Sequence, residues 1–207
     1  NTTGDNNVAV GHAALVANTT ASNNTAVGKS ALAANTTGTQ NTVVGASAGI
    51  ALTTGGNNTA FGFEALKNED AHGNNTAIGT QTLFSLNAGA DGYNTAVGYQ
   101  AGAAVTTGTN NTLIGGLSGD ALTTGSANVA LGKFALSATT TANFNTSLGH
   151  ESLLVNTTGA NNVAVGALAL DANTTANANT AVGYASLGAN TTGTSNVALG
   201  YEALLTN

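Results

Sequence analysis

Apolar and polar positions recur along this chain on a fixed period. The string Asn-[Thr/Val]-x-[Val/Ile/Leu/Phe]-Gly begins at Asn7, Asn24, Asn41, Asn58, Asn75, Asn94, Asn111, Asn128, Asn145, Asn162, Asn179 and Asn196. Successive copies start 17 residues apart, except that Asn75 and Asn94 are separated by 19. With the opening Asn as position 1, position 2 is Thr or Val, position 4 is Val, Ile, Leu or Phe, and position 5 is Gly in every copy, from Gly11 to Gly200. Apolar or β-branched residues at i and i+2 define one face of a short strand, and the glycine that follows permits a corner. Self-similarity at such a period predicts an all-β fold, a parallel β-solenoid of twelve 17-residue coils forming a single repeat domain over residues 1–207.

Positions 6 to 11 carry Ala and Leu, as in residues 29–34. Six residues are too few for a stable helix, and Gly49, Gly102 and Gly119 interrupt the stretch, so a second short strand is expected there. Positions 12 to 15, usually NTTG or NTTA, have the chemistry of a turn. Position 9 is Leu except in the three copies with Gly49, Gly102 and Gly119, and in those copies position 12 becomes Leu52, Val105 and Leu122. The lost apolar volume returns three residues later, as expected if both positions reach one interior column where a void is costly. By the same reasoning Asn190→Ser, beside Leu187, is expected to be nearly neutral.

Position 3 is also apolar in every copy except that with Ser147. A strand apolar on both faces is buried on both faces, one in the coil and one against a neighbour. Self-association is therefore expected, with a homotrimer around a common axis as the preferred arrangement.

Composition narrows the picture. Aromatic residues make up 4% of the chain, and Trp, Met, Pro, Cys and Arg are absent. Such side chains suit a thin core in which backbone layers approach closely. The formal charge is −6, with only Lys29, Lys67 and Lys133 as fixed cations, which disfavours nucleic acid and anionic membrane surfaces as partners. No apolar run approaches the ~20 residues that span a bilayer, so no direct membrane insertion by this segment is expected. The chain opens at Asn1, inside a repeat and without Met, and reads as a segment of a longer fibrous protein.

The runs NNVAVG and NNTAVG, with small residues between and a Gly closing each strand, resemble the head repeats of trimeric autotransporter adhesins. They are similar also to the NTAVGYQAL and NTTG arrays of phage tail-fibre-like proteins, to which Tyr99-Gln100-Ala101 after Gly98 is especially close. The resemblance covers residues 1–207 and implies a left-handed, trimeric β-roll in an extracellular setting, on a cell surface or a virion fibre. Autotransporter head repeats are typically shorter than 17 residues.

Little in the sequence points to catalysis. His12 and His150 share position 6 but stand eight coils apart, ~38 Å along a stack, too far to share a metal. Glu64, Glu151 and Glu202 share position 7 across five and three coils, outside the ~5–10 Å of paired acid and base work. His150, Glu151 and Ser152 are sequence neighbours that a strand would point to opposite faces. No GK[S/T] follows the glycines and no GGxGxD pattern occurs. The expectation is a non-enzyme with no catalytic, cofactor or metal site. Many copies contain N-x-T, but the position-1 asparagines read as a stacked amide ladder rather than as glycan acceptors.

The one irregular stretch lies between Glu69 and Tyr93. NEDAH replaces the usual turn, the next copy has both Leu83 and Leu86, and two residues are inserted before Asn94. An insertion survives only where the chain faces solvent, so this stretch is expected outside, around 87–93, with Glu69, Asp70, His72, Asp91 and Tyr93 as candidate contacts to a cell-surface receptor or glycan. The function expected is a fibre or adhesin segment. The alternative is an ice- or surface-binding solenoid using the Thr columns at positions 13 and 14, such as Thr19-Thr20, Thr36-Thr37 and Thr157-Thr158, although the column breaks at Asp70-Ala71.

Overall fold

A computed structural model describes residues 1–206. Twelve three-residue strands, β1 (Val8–Val10) to β12 (Val197–Leu199), fall one per repeat at positions 2 to 4. They form one twelve-stranded sheet in chain order, every neighbouring pair parallel. Register is strict: Thr25 faces Thr42, Val43 faces Ala60, and the pairing of Thr76 with Thr95 is held across the 19-residue copy. No helix occurs among the described residues. The chain is a parallel β-solenoid with one coil per repeat.

Position 3 points inward. Ala26, Val43, Ala60, Leu113 and Ala164 have no exposed surface, whereas positions 2 and 4 face out. The single polar residue at position 3, Ser147, is accommodated by position 8 of its own coil: its hydroxyl lies 2.5 Å from that of Ser152 and donates to the Ser152 carbonyl at 2.8 Å.

Positions 6 to 11 form turns, not the second strand that was expected. The N–H of position 8 closes on the position-5 carbonyl, as in Ala31 to Gly28 and Ala65 to Gly62, and that of position 12 closes on position 9, as in Asn35 to Leu32. Positions 7 and 9 hold positive φ, for example Ser30 at 57° and Leu32 at 52°. This lets their N–H groups point along the stack in opposite senses, Ser30 to the His12 carbonyl of the preceding coil and Leu32 to the Ala48 carbonyl of the next. A left-handed Leu costs ~1–2 kcal/mol, of the same order as the gain from burying its side chain.

The interior column is built as the volume exchange suggested, with a third contributor. Leu52, Val105 and Leu122 at position 12 are fully buried. Position 3 also responds: a Cβ on Gly49 would lie 3.5 Å from both methyls of Val43, and a Cβ on Gly102 or Gly119 would lie 2.7 or 2.9 Å from a Leu113 methyl. Leu113 occupies space vacated in two successive coils. Glycine at position 9 also removes the left-handed Leu penalty, since Gly49, Gly102 and Gly119 keep φ between 51° and 60°.

Position 12 is interior even when polar. Asn35, Asn156 and Asn173 have no exposed surface, and Asn190 is buried as well. Asn190 donates Nδ2 to Gly193 O at 3.0 Å and to Asn173 Oδ1 at 3.2 Å. The expectation that Asn190→Ser is nearly neutral is therefore corrected, because a shorter hydroxyl cannot span both acceptors.

Candidate functional site

The rod has two features from which a site could be built, the irregular turns of coils four and five and the regular columns on its faces. At the irregular turn Glu69 takes position 12, and its carboxylate goes to the interior with no exposed surface. Oε1 accepts the backbone N–H of His72 at 3.0 Å and Oε2 accepts that of Ala88 at 3.2 Å, across to the next coil. Glu69 thus stands in for the Asn amide that closes this turn elsewhere. Its placement as a partner contact is corrected: the turn geometry that satisfies two buried N–H groups also removes the carboxylate from the surface.

The other candidate residues cluster around it. Asp70 and His72 are half-buried, and one ligand atom from each of Glu69, Asp70 and His72 falls within 4.8 Å of the others. His72 Nδ1 sits 3.5 Å from Glu69 Oε1. On the next turn Asp91 is exposed and its Oδ1 accepts the N–H of Gly73 at 2.9 Å, while Tyr93 is 58% exposed. Asp70, His72, Asp91 and Tyr93 therefore lie on two adjoining turns, with Glu69 as the buried pin beneath.

The two-residue insertion is absorbed after Ala88. Ala88 is fully buried, whereas Gly89, Ala90 and Asp91 are exposed and a Cβ on Gly89 would meet open space. Deleting Gly89 and Ala90 should change the melting temperature by no more than a few degrees, while a deletion that includes Ala88 also removes an N–H bound to Glu69 and should cost clearly more. Thermal unfolding followed by circular dichroism checks the pair; equal losses would show that the outer turn is part of the packed structure.

The regular columns are mostly engaged in holding coils together. Position-1 asparagines from Asn24 to Asn179 are essentially buried. Each Oδ1 accepts the backbone N–H of the next Asn in the column, as in Asn41 to Asn24 at 2.9 Å and Asn145 to Asn128 at 3.0 Å, and the link persists from Asn94 to Asn75 at 3.2 Å. Nδ2 typically donates to the position-15 carbonyl of the same coil, as in Asn111 to Gly125 at 2.9 Å. These amides are structural and enclosed. Position-13 threonines likewise donate their hydroxyls to the carbonyl of the next coil, Thr123 to Thr140 at 3.0 Å and Thr157 to Thr174 at 3.0 Å. That half of the proposed surface-binding Thr array is spent internally.

At position 7 a polar ladder runs over three coils: Gln100 Nε2 donates to Gln81 Oε1 at 2.9 Å, and Gln81 Nε2 donates to Glu64 Oε2 at 3.0 Å. Lys67 Nζ completes it at 2.7 Å from Glu64 Oε1. The hydrogen bond from Lys67, and after it that from Gln81, hold the Glu64 carboxyl below the usual carboxylate range. At coil nine, His150 lies on the surface with Nε2 3.6 Å from Glu151 Oε1, but the Ser152 hydroxyl turns inward to the Gly149 carbonyl at 3.0 Å. The three neighbours do not converge.

What the sequence reading did not assign is the face turned to solvent. Positions 2 and 4 carry Val129 at 37%, Phe61 at 56% and Leu131 at 47% exposure. The alternation of positions 2, 3 and 4 was visible, but with position 3 apolar too the choice of inner face was undetermined. The small size of position 3, Ala in nine of twelve coils, was the usable signal, because facing coil walls approach closely there. No pocket opens among the described residues, so a ligand would meet flat or convex surface. Compared with known proteins, the chain matches no protein-family model, no curated protein and no solved structure.

Proposed function

We propose that this chain is a shaft or adhesin segment of a surface or tail fibre, whose function is length, stiffness and display in an extracellular setting. The observation that carries the reading is the continuous amide ladder: every position-1 Asn from Asn24 to Asn196 donates its N–H to the Asn of the preceding coil, across the insertion as well. Such a ladder adds the same bond at every layer, so length grows without a new design for each coil. In this reading the rod associates with further copies, three around a common axis, and the turns bearing Asp70, His72, Asp91 and Tyr93 display the contact to a receptor or glycan. The chemistry is that of a scaffold and not of a catalyst.

Pulling the two ends apart in single-molecule force spectroscopy tests the load-bearing role. A shaft should resist and then yield coil by coil, each step releasing 17 residues and lengthening the chain by about 55 Å, the extended length of one coil less its height. Extension without resisted steps would contradict a mechanical function.

A further inference from the structure

The rod itself leaves the outward face of the sheet without a partner. Across β1 to β12, positions 2 and 4 hold only Thr, Val, Ile, Leu and Phe, and none of the nine acids or three lysines stands there. Three residues of width and twelve strands of length give a strip of ~10 by ~55 Å, on the order of 550 Å² before side-chain relief is counted. That lies toward the upper end of the ~300–600 Å² of the largest apolar patch on a typical monomer, and side-chain relief brings it closer to the ~800 Å² per partner of a standard interface.

We infer that this strand face is the surface by which one copy meets a second copy of this chain, sheet against sheet; the inference rests on the association part of the reading above. Charge selects this face over the rest of the surface. A second copy also carries −6, so contact between copies is opposed at long range and is least opposed where neither side presents an acid. Shape favours a second copy as the occupant. Both rods repeat every ~4.8 Å, so rows such as Val97, Ile114, Leu131 and Leu148 on one copy can settle between the equivalent rows of the other, as facing sheets do at ~10 Å. No charged residue or proline stands in these strands, so the face runs unbroken along the rod. Thr at position 2 in eight coils leaves the margin able to hydrogen-bond, while position 4 is wholly apolar.

The chain has no cysteine, so single cysteines report proximity cleanly. Val97→Cys lies in coil six, near the middle of the rod, and meets its equivalent closely whether the copies run parallel or antiparallel. Thr124→Cys, exposed on the turn column, serves as the comparison. Mild oxidation should cross-link Val97→Cys in high yield and Thr124→Cys hardly at all. The double variant Val97→Lys with Ile114→Lys should keep the circular dichroism of the wild type and fall to single-chain mass in light scattering at concentrations where the wild type associates. If the wild type is itself a single chain at every concentration, the inference fails and so does self-association. If the wild type associates but cross-links at Thr124→Cys rather than Val97→Cys, the face is wrong while self-association stands; the cysteine pair decides even where the lysine variant does not fold.

Discussion

Gly115→Ala should be among the most damaging single substitutions in the chain, lowering stability by about 3–5 kcal/mol. Position-5 glycines all hold φ between 128° and 144°, a region that L side chains rarely adopt, and the strain alone is worth ~1–3 kcal/mol. Stacking adds a second cost. A Cβ on Gly115 would lie 2.5 Å from the carbonyl oxygen of Gly132 and 2.6 Å from its carbon, and backbone in the next coil cannot move aside without breaking the sheet register. Gly200 separates the two effects. Its φ is 128°, but the nearest atom to an added Cβ is the Ala203 methyl at 3.8 Å. Gly200→Ala should therefore cost the strain only, at most ~3 kcal/mol. Chemical denaturation of the two variants measures the difference; equal losses would mean that close approach of coils does not govern this position.

The second large effect is expected at the amide ladder. Asn128 accepts the N–H of Asn145 at 3.0 Å and donates to Ala142 O at 2.9 Å and to Asn111 Oδ1 at 3.2 Å, all in the interior. Asn128→Ala leaves a buried N–H and a buried carbonyl unpaired, each costing ~1–3 kcal/mol, for a total of about 3–5 kcal/mol. Asn128→Asp gives the effect a pH signature. The acid keeps an acceptor for Asn145 but loses the donors, and burial opposes its ionisation, so its folded pKa would be raised above the unfolded value of ~3.9. A group raised on folding favours the folded state when protonated. The variant should thus be least destabilised below pH ~3.9, lose stability as pH rises from there to the folded pKa, and stay at the lower level beyond it. Denaturation of wild type and variant at several pH values reads this out as a difference between the two, and a difference independent of pH would place the side chain in water.

The coil, its period and the site of the strand were legible because the repeat imposes the same chemistry twelve times. The exchange of volume between positions 9 and 12 was legible for the same reason: Gly49 with Leu52, Gly102 with Val105 and Gly119 with Leu122 form a pattern that a single copy would hide. Positions 6 to 11 were not, because Ser, Gln, Glu and Leu held at positive φ carry no signature in sequence comparable to glycine's. Nor was the burial of position 12 where its residue is polar. An Asn that starts an exposed turn and an Asn that closes a buried one share the string NTTG, and only the packing of Leu52, Glu69 or Leu122 in the same column distinguishes them. Glu69 was misplaced by that ambiguity, since a carboxylate in NEDAH reads as solvated until the two N–H groups that it caps are seen.

If the molecule is a stack of equivalent 17-residue layers whose number sets its length, small-angle X-ray scattering on the chain with one whole coil removed should read the loss of a single layer. Deleting residues 111–127 takes out one period and rejoins Asn94's coil to Asn128 in register. The shortened chain should be a folded rod with the same cross-section as the wild type, shorter by about 4.8 Å from a length near 55 Å. A chain that loses its fold, or keeps its length while its cross-section shrinks, would contradict a stack of equivalent layers.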